Sequence, residues 1–363
     1  MCSSDLRAVL RAIEDREHLC AEAGTGTGKT LAYLVPALAV EGRVIVSTAT
    51  RNLQEQLISK DIPLIRETIL PSLQAVCMKG RPNYLCLLRL ERLTGQGRLF
   101  TEDRAGGGLE ELKAWAGRSE TGDRSELDWL ADSSTLWDSV DARSEICLGP
   151  RCGHFEDCFV TRIRRKAQAA DILIVNHALF FTSLSLSSDE SGGILPGYAM
   201  AVLDEAHEVE DIASGLFGKR ISSYQLEHLA RDTAAVTVPG SDLARLSERL
   251  ADSGRKLVLA LPPSGGRFSL NLFREQDRSI SDLRRVMARE FDEMESILQE
   301  LYHSLEARIG ESPEHEILVR RVDHLLEVLD EIINTDNEDY IYWAEQGKRG
   351  MSLNLTPVNV APV

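Results

Sequence analysis

The stretch AEAGTGTGKTLAYLVPAL, Ala21–Leu38, constrains what this chain can fold into more than any other. Gly24, Gly26 and Gly28 alternate ahead of a lysine and a hydroxyl residue, and an apolar helical run follows. Glycines let successive backbone N–H groups converge on phosphate oxygens. Ala23, Gly24, Thr25, Gly26, Thr27, Gly28, Lys29 and Thr30 are therefore read as a nucleotide cradle. In it Lys29 reaches the β- and γ-phosphates, the Thr30 hydroxyl takes Mg²⁺, and the positive end of the next helix faces the anion. The usual G-x4-G-K-[ST] pattern begins here with Ala23 instead of glycine.

Such a cradle belongs to an α/β fold, and the next segment agrees. GRVIVSTATRNLQEQLI (Gly42–Ile58) gives a β-branched run, then hydroxyls, then an amphipathic helix, the order of a parallel α/β sheet. Thr48, Thr50, Arg51 and Gln54 fall at the strand's carboxyl end, where these sheets place ligands. AMAVLDEAHEVEDIA (Ala199–Ala213) is a second apolar strand ending in carboxylates. Asp204 is expected to fix Mg²⁺ through water, and Glu205 to orient and deprotonate an attacking water. His207 is expected to link the nucleotide state to neighbouring elements. Cradle and acidic pair together describe an ATPase, with Lys29, Asp204 and Glu205 as its catalytic residues.

Composition bounds the rest. The chain has 363 residues, 27% of them charged, and a formal net charge of −16. That balance argues against a nucleic-acid-binding surface unless charge is segregated, and one basic run exists, RIRRK at Arg162–Lys166. Arg162, Arg164, Arg165 and Lys166 could neutralise phosphates there. Charged residues pepper the N-terminus, so a secretory signal is not expected. The apolar run Leu31–Val40 is shorter than the roughly 20 residues a membrane span needs. The expectation is a cytoplasmic protein with no membrane partner.

The chain contains 7 cysteines, and a reducing compartment favours metal ligation over disulfides for a clustered subset. CLGPRCGHFEDC places Cys147, Cys152 and Cys158 at C-x4-C-x5-C spacing. Cys86 is the best fourth ligand and Cys77 its rival, while Cys2 and Cys20 lie too near the cradle. Zinc, closed by Cys86 or His154, and an iron–sulfur cluster both suit this spacing, and so does no metal at all. Tyr84 and Phe155 could stack on bases or pack around the metal.

The segments EAGTGTGKTLAYLVPAL, STATRNLQEQL, KGRPNYLC, CLGPRCGHFEDC, ADILIVNHALFF, VLDEAHEVEDIA and MSLNLTPVNVAP follow one another in this order. Together they resemble the DinG/XPD-like superfamily-two DNA helicases, and among them the bacterial DinG and YoaA branch. The resemblance implies a RecA-like sheet with an inserted iron–sulfur domain and an inserted helical arch. It implies a [4Fe–4S] cluster on Cys86, Cys147, Cys152 and Cys158, with zinc reduced to a minor alternative. It further implies ATP-driven 5′→3′ translocation on single-stranded DNA in repair or replication, with Thr48, Thr50, Gln54 and Asn176 lining the DNA track. Arg51, Arg162 and Arg165 complete the candidate DNA contacts.

The sequence divides accordingly. Residues 1–79 form the first part of the motor domain, 80–166 the cysteine-bearing insertion, and 167–213 the second motor part with the acidic motif. The helical arch is placed at 214–340 and the last motor part at 341–363. In the arch, Leu283, Val286, Met287, Met294, Ile297, Leu298 and Leu301 share a helical face, a packing seam repeated in HEILVRRVDHLLEVLDEII and expected to form an antiparallel helical pair. SLSLSSDESGGILPGY is read as a loop, and DYIYWAEQ and MSLNLTP as short closing strands. Removing both insertions leaves about 150 residues, one α/β domain. An S-A-T motif, a second motor domain and an upstream glutamine motif are not found, so the expectation is a fragment that binds nucleotide weakly and does not unwind duplexes alone.

Expected cofactors are ATP, Mg²⁺ and the [4Fe–4S] cluster. Expected partners are single-stranded or forked DNA and single-strand-binding or replication proteins, with the chain a monomer. Two other classes compete with the helicase: an RNA-dependent DEAH-type ATPase with structural zinc, and a non-catalytic DNA-binding module.

Overall fold

The computed structural model describes residues 3–24, 26–95, 108–131, 134–187, 193–260, 266–270, 281–334, 337–347 and 350–358. Contacts divide the chain into two compact units, 1–144 with 149–212, and 213–363 with 145–148.

In the first unit α1 (Ser3–Asp15) leads through an extended segment to the cradle and α2 (Lys29–Ala37). β1 (Val44–Thr48) follows, then α3 (Arg51–Gln56), a π-helical turn at Leu57–Asp61, α4 (Ile62–Thr68) and β2 (Ala75–Cys77). The cysteine region carries α5 (Leu87–Gly95), α6 (Gly108–Ala116), α7 (Thr135–Val140) and α8 (Phe159–Gln168). The chain then returns to the sheet with β3 (Ile172–Asn176), α9 (His177–Ser187) and β4 (Met200–Asp204). α9 reaches Ser187, so the loop expected from Ser183 begins as helix.

The strands form the expected parallel sheet, in the order β2-β3-β1-β4. β1 is buried throughout and β3 nearly so. Continuous VIVST and ILIVN runs, without polar alternation, are what a sheet covered on both faces selects. β4 is an edge strand with alternating burial, and its Leu203 is exposed. Register sets the strand ends level: Thr48 pairs with Asn176 on one side and with Asp204 on the other. Tyr33 and Leu34 of α2 share a core with Val44, Val46, Ile172 and Ile174. This fixes the cradle helix against β1 and β3, and β1 pairs with β4, the strand that ends in the acidic pair.

The cysteine region has an apolar core of its own, formed by Tyr84, Leu85, Leu112, Trp115, Leu136, Trp137, Val140 and Phe159. Trp115 and Trp137 meet edge to face at 6.3 Å, and their indole N–H groups donate to Glu126 Oε2 and to the Pro82 carbonyl. Tyr84 is buried, and its hydroxyl accepts from the Lys79 N–H at 2.9 Å. It therefore packs inside the protein and presents no ring face to a base.

α10 (Val209–Phe217) runs from the first unit into the second. There β5 (Lys219–Ser222), α11 (Ser223–Ala235), α12 (Asp242–Ala260), β6 (Gly266–Ser269), α13 (Ser281–Glu306), α14 (Pro313–Asn334), β7 (Tyr340–Gly347) and β8 (Gly350–Pro357) follow. Met294, Ile297, Leu298 and Leu301 of α13 are fully buried against Leu318, Val322, Leu325 and Leu329 of α14. Leu283, Val286 and Met287 lie outside the described side chains. The closing hairpin corrects the expected division. β7 and β8 join β5 and β6 in an antiparallel sheet, order β5-β8-β7-β6, and do not extend the parallel one. The reason lies in their burial pattern: Tyr342, Ala344, Met351, Leu353 and Leu355 turn inward onto the helical core.

Candidate active site

The cradle takes its shape from two glycines. Gly26 and Gly28 adopt φ of 76° and 85°, left-handed values that L side chains resist. Gly28 turns the chain directly into α2. Thr27 closes the loop with a 2.8 Å bond to the Gly24 carbonyl. Ala23 is half-buried and accommodated, and Thr25 lies outside the described residues.

Lys29 begins α2, and its ammonium meets Glu205 Oε1 at 2.9 Å. Each lowers the energy of the other's charged form. The bond to Glu205 raises the pKa of Lys29, and the bond to Lys29 lowers that of Glu205. Glu205 is thus held as a carboxylate, the form a general base requires. It sits at φ 60° and ψ 47° where β4 turns into a 3-10 turn, a conformation costing a non-glycine residue about 1–2 kcal/mol. His207 Nδ1 lies 3.5 Å from the second Glu205 oxygen.

Asp204 is held at two points. The Tyr33 hydroxyl donates to Oδ2 at 3.1 Å, and His177 Nε2 lies 2.9 Å from the Asp204 carbonyl oxygen. A carbonyl only accepts, so Nε2 carries the proton and Nδ1 accepts from the Ser47 hydroxyl 2.7 Å away. This neutral imidazole is fully buried, and burial lowers its pKa. Tyr33 and His177 are site residues that sequence reading missed. Their signals were the position of Tyr33 one helical turn after Lys29 and the location of His177 at the end of β3. Thr30 and Asp204 offer hard oxygen ligands, the donor set Mg²⁺ selects.

The candidate DNA residues fare unevenly. Thr50 and Arg51 are exposed, and the Thr50 hydroxyl caps α3. Thr48 and Gln54 are buried. Asn176 accepts from the Leu179 N–H and so caps α9. Arg162 and Arg165 form ion pairs with Asp157 and Glu156 of their own segment, which offsets the charge of the basic run.

Among the cysteines, Cys77 lies on β2, where burial pushes its thiol up to about 11. Cys86 precedes α5, Cys158 precedes α8, and both pack against the same apolar core. The Cys86 N–H donates to the Val140 carbonyl at 2.7 Å, and His154, between Cys152 and Cys158, bonds Glu91 of α5 at 2.8 Å. These contacts bring the 152–158 segment to α5. None of the six described cysteines is in a disulfide. Half-buried thiols suit a soft metal cluster by donor type, although no three His, Cys, Asp or Glu side chains among the described residues are arranged to hold an ion.

No helix among the described residues is long and apolar enough to cross a membrane. The DEAD/DEAH box helicase family model matches residues 5–81. The chain is 34% identical over 371 residues to a protein named ATP-dependent DNA helicase YoaA from Escherichia coli K12, covering 98% of this chain and 55% of that one. It is 32% identical over 358 residues to YoaA of Haemophilus influenzae, again over 98% and 55%. A Mycobacterium tuberculosis protein named ATP-dependent helicase DinG matches at 35% over 254 residues, 64% of this chain and 37% of that one. The chain thus spans about half the length of the YoaA proteins it matches. A solved structure titled Truncated XPD covers 97% of this chain and is 85% covered by it, with a TM-score of 0.45 and 14% identity. The RNA-dependent and non-catalytic alternatives are not favoured by these matches.

Proposed function

For a chain similar over 98% of its length to YoaA proteins and over 64% of it to a DinG protein, we propose that it carries the first half of the ATP site of a 5′→3′ DNA helicase acting in repair or replication. The observation that carries this reading is the Lys29–Glu205 pair at 2.9 Å, set beside Asp204 at the level end of the sheet. An entering γ-phosphate competes with Glu205 for the Lys29 ammonium. As Lys29 turns to the phosphate, the Glu205 carboxylate is released to polarise the attacking water. Thr30 and Asp204 would hold Mg²⁺, whose charge offsets that of the phosphates.

Thr50 and Arg51 lead the proposed DNA track, being exposed beyond the β1 carboxyl end. For Thr48, Gln54 and Asn176 the support is position alone. Arg162 and Arg165 would exchange their carboxylate partners for DNA phosphates, with a steep salt dependence. Cys86, Cys147, Cys152 and Cys158 are the proposed ligands of a [4Fe–4S] cluster, which when bound would pin distant segments together. The proposed domain limits are those expected from the sequence, save that β7 and β8 go with the antiparallel sheet. Single-stranded or forked DNA as substrate, single-strand-binding or replication proteins as partners, a monomer and a cytoplasmic location complete the proposal.

The test is titration of the anaerobically purified chain with Mg·ATP, alongside iron and sulfide quantitation. A charge-assisted hydrogen bond contributes about 1.5–3 kcal/mol, so Lys29→Ala should weaken nucleotide binding by about tenfold or more. Iron should disappear in Cys158→Ser and stay in Lys29→Ala. Equal affinity with and without Lys29 would refute the ATP site, and iron-free protein would refute the cluster.

A further inference from the structure

Tyr33 belongs to none of the groups that contact phosphate or water in the mechanism above, yet it stands at the centre of the metal ligands. Its ring is 9% exposed and packs in the core that joins α2 to β1 and β3, so the phenol has little freedom to swing. Its oxygen is 3.1 Å from Asp204 Oδ2. Tyr33 is four residues after Lys29 and three after Thr30, which puts all three on adjoining faces of α2.

We infer that Tyr33 is a positioning residue that fixes the Asp204 carboxylate for the metal, leaving one carboxylate oxygen to face the cation or its waters. The inference rests on the proposed ATP site. The backbone of Asp204 is already tied to His177 through its carbonyl, so the side-chain rotamer is the remaining freedom, and the phenol removes it. A phenol keeps its proton at neutral pH, so it serves as the donor to the carboxylate. Ligands held in advance bind a cation without first losing rotamer freedom, which is how second-layer hydrogen bonds act at other metal sites.

Tyr33→Phe keeps the ring and deletes the oxygen. The measurement is binding of a fluorescent ADP analogue to the full chain at increasing Mg²⁺, with EDTA as the metal-free point. One hydrogen bond to a charged group predicts that the Mg²⁺ concentration for half-maximal enhancement rises about tenfold or more, while metal-free affinity is unchanged. In an Asp204→Asn background the same substitution should add nothing further, because the partner charge is already gone. An unchanged Mg²⁺ dependence in Tyr33→Phe would overturn the assignment, and so would an equal loss of metal-free affinity, which would make Tyr33 a packing residue only. If the parent chain bound no nucleotide, or bound it without regard to Mg²⁺, the ATP site itself would fall and the assignment with it. Thermal melting of Tyr33→Phe within a few degrees of the parent establishes that the fold is retained.

Discussion

At the end of the parallel sheet, Thr48, Asn176 and Asp204 are set level by backbone hydrogen bonds before any side chain acts. The cysteine region, in contrast, has no sheet among its described residues. Helices and 3-10 turns are joined there by an apolar core and by buried ion pairs. Asp141 is the clearest case: Arg89 and Arg143 both reach its carboxylate, at 2.6 and 2.7 Å, with all three side chains nearly buried. Lys79 is another, bonded to Asp123 at 2.8 Å and to Ser125 at 3.0 Å. A backbone lattice tolerates side-chain loss, whereas a region braced by buried charges depends on individual partners.

The largest effect that would sharpen this contrast is expected from Asp141→Ala. It strands two guanidinium groups, and breaking a buried pair in this way costs about 3–5 kcal/mol. The loss should be local. Trp115 and Trp137 sit in that core, so tryptophan fluorescence should report early unfolding while circular dichroism of the remainder persists. Simultaneous loss of both signals would break the contrast.

How legible each region was follows from the same difference. Continuous apolar strands, glycines at the cradle and carboxylates at a strand end are local patterns, so the parallel sheet could be read directly and the nucleotide residues proposed from the same signals. Tyr33 and His177 act through partners distant in sequence, Asp204 in both cases and Ser47 as well for His177. Nothing local marks them as more than core residues. The core of the cysteine region escaped notice because Trp115, Leu112, Trp137 and Phe159 are scattered without period, and only folding gathers them. The closing hairpin read correctly as two strands, but its partners, β5 and β6, lie far upstream and are each four residues long.

A smaller effect probes the sheet side. His177 is neutral when folded and its pKa is lowered from 6.5. The unfolded chain therefore takes up a proton that the folded chain refuses, and stability falls as pH drops below that value. His177→Gln can keep a donor for the Asp204 carbonyl and an acceptor for Ser47, yet cannot titrate. It should shrink the difference in melting temperature between about pH 7.5 and about pH 5.5. An unchanged difference would show that His177 is not the titrating group.

The central proposal is that the sheet and the apolar core of the cysteine region stand by themselves, while the segment from Ser144 to Cys158 would take its order from the cluster proposed for Cys86, Cys147, Cys152 and Cys158. Hydrogen exchange on the anaerobically prepared chain, before and after iron removal, tests it most directly. The account predicts that protection is lost across 144–158 and kept in β1, β3, α5 and α7. Protection unchanged across 144–158, or lost equally in β1 and β3, would contradict it.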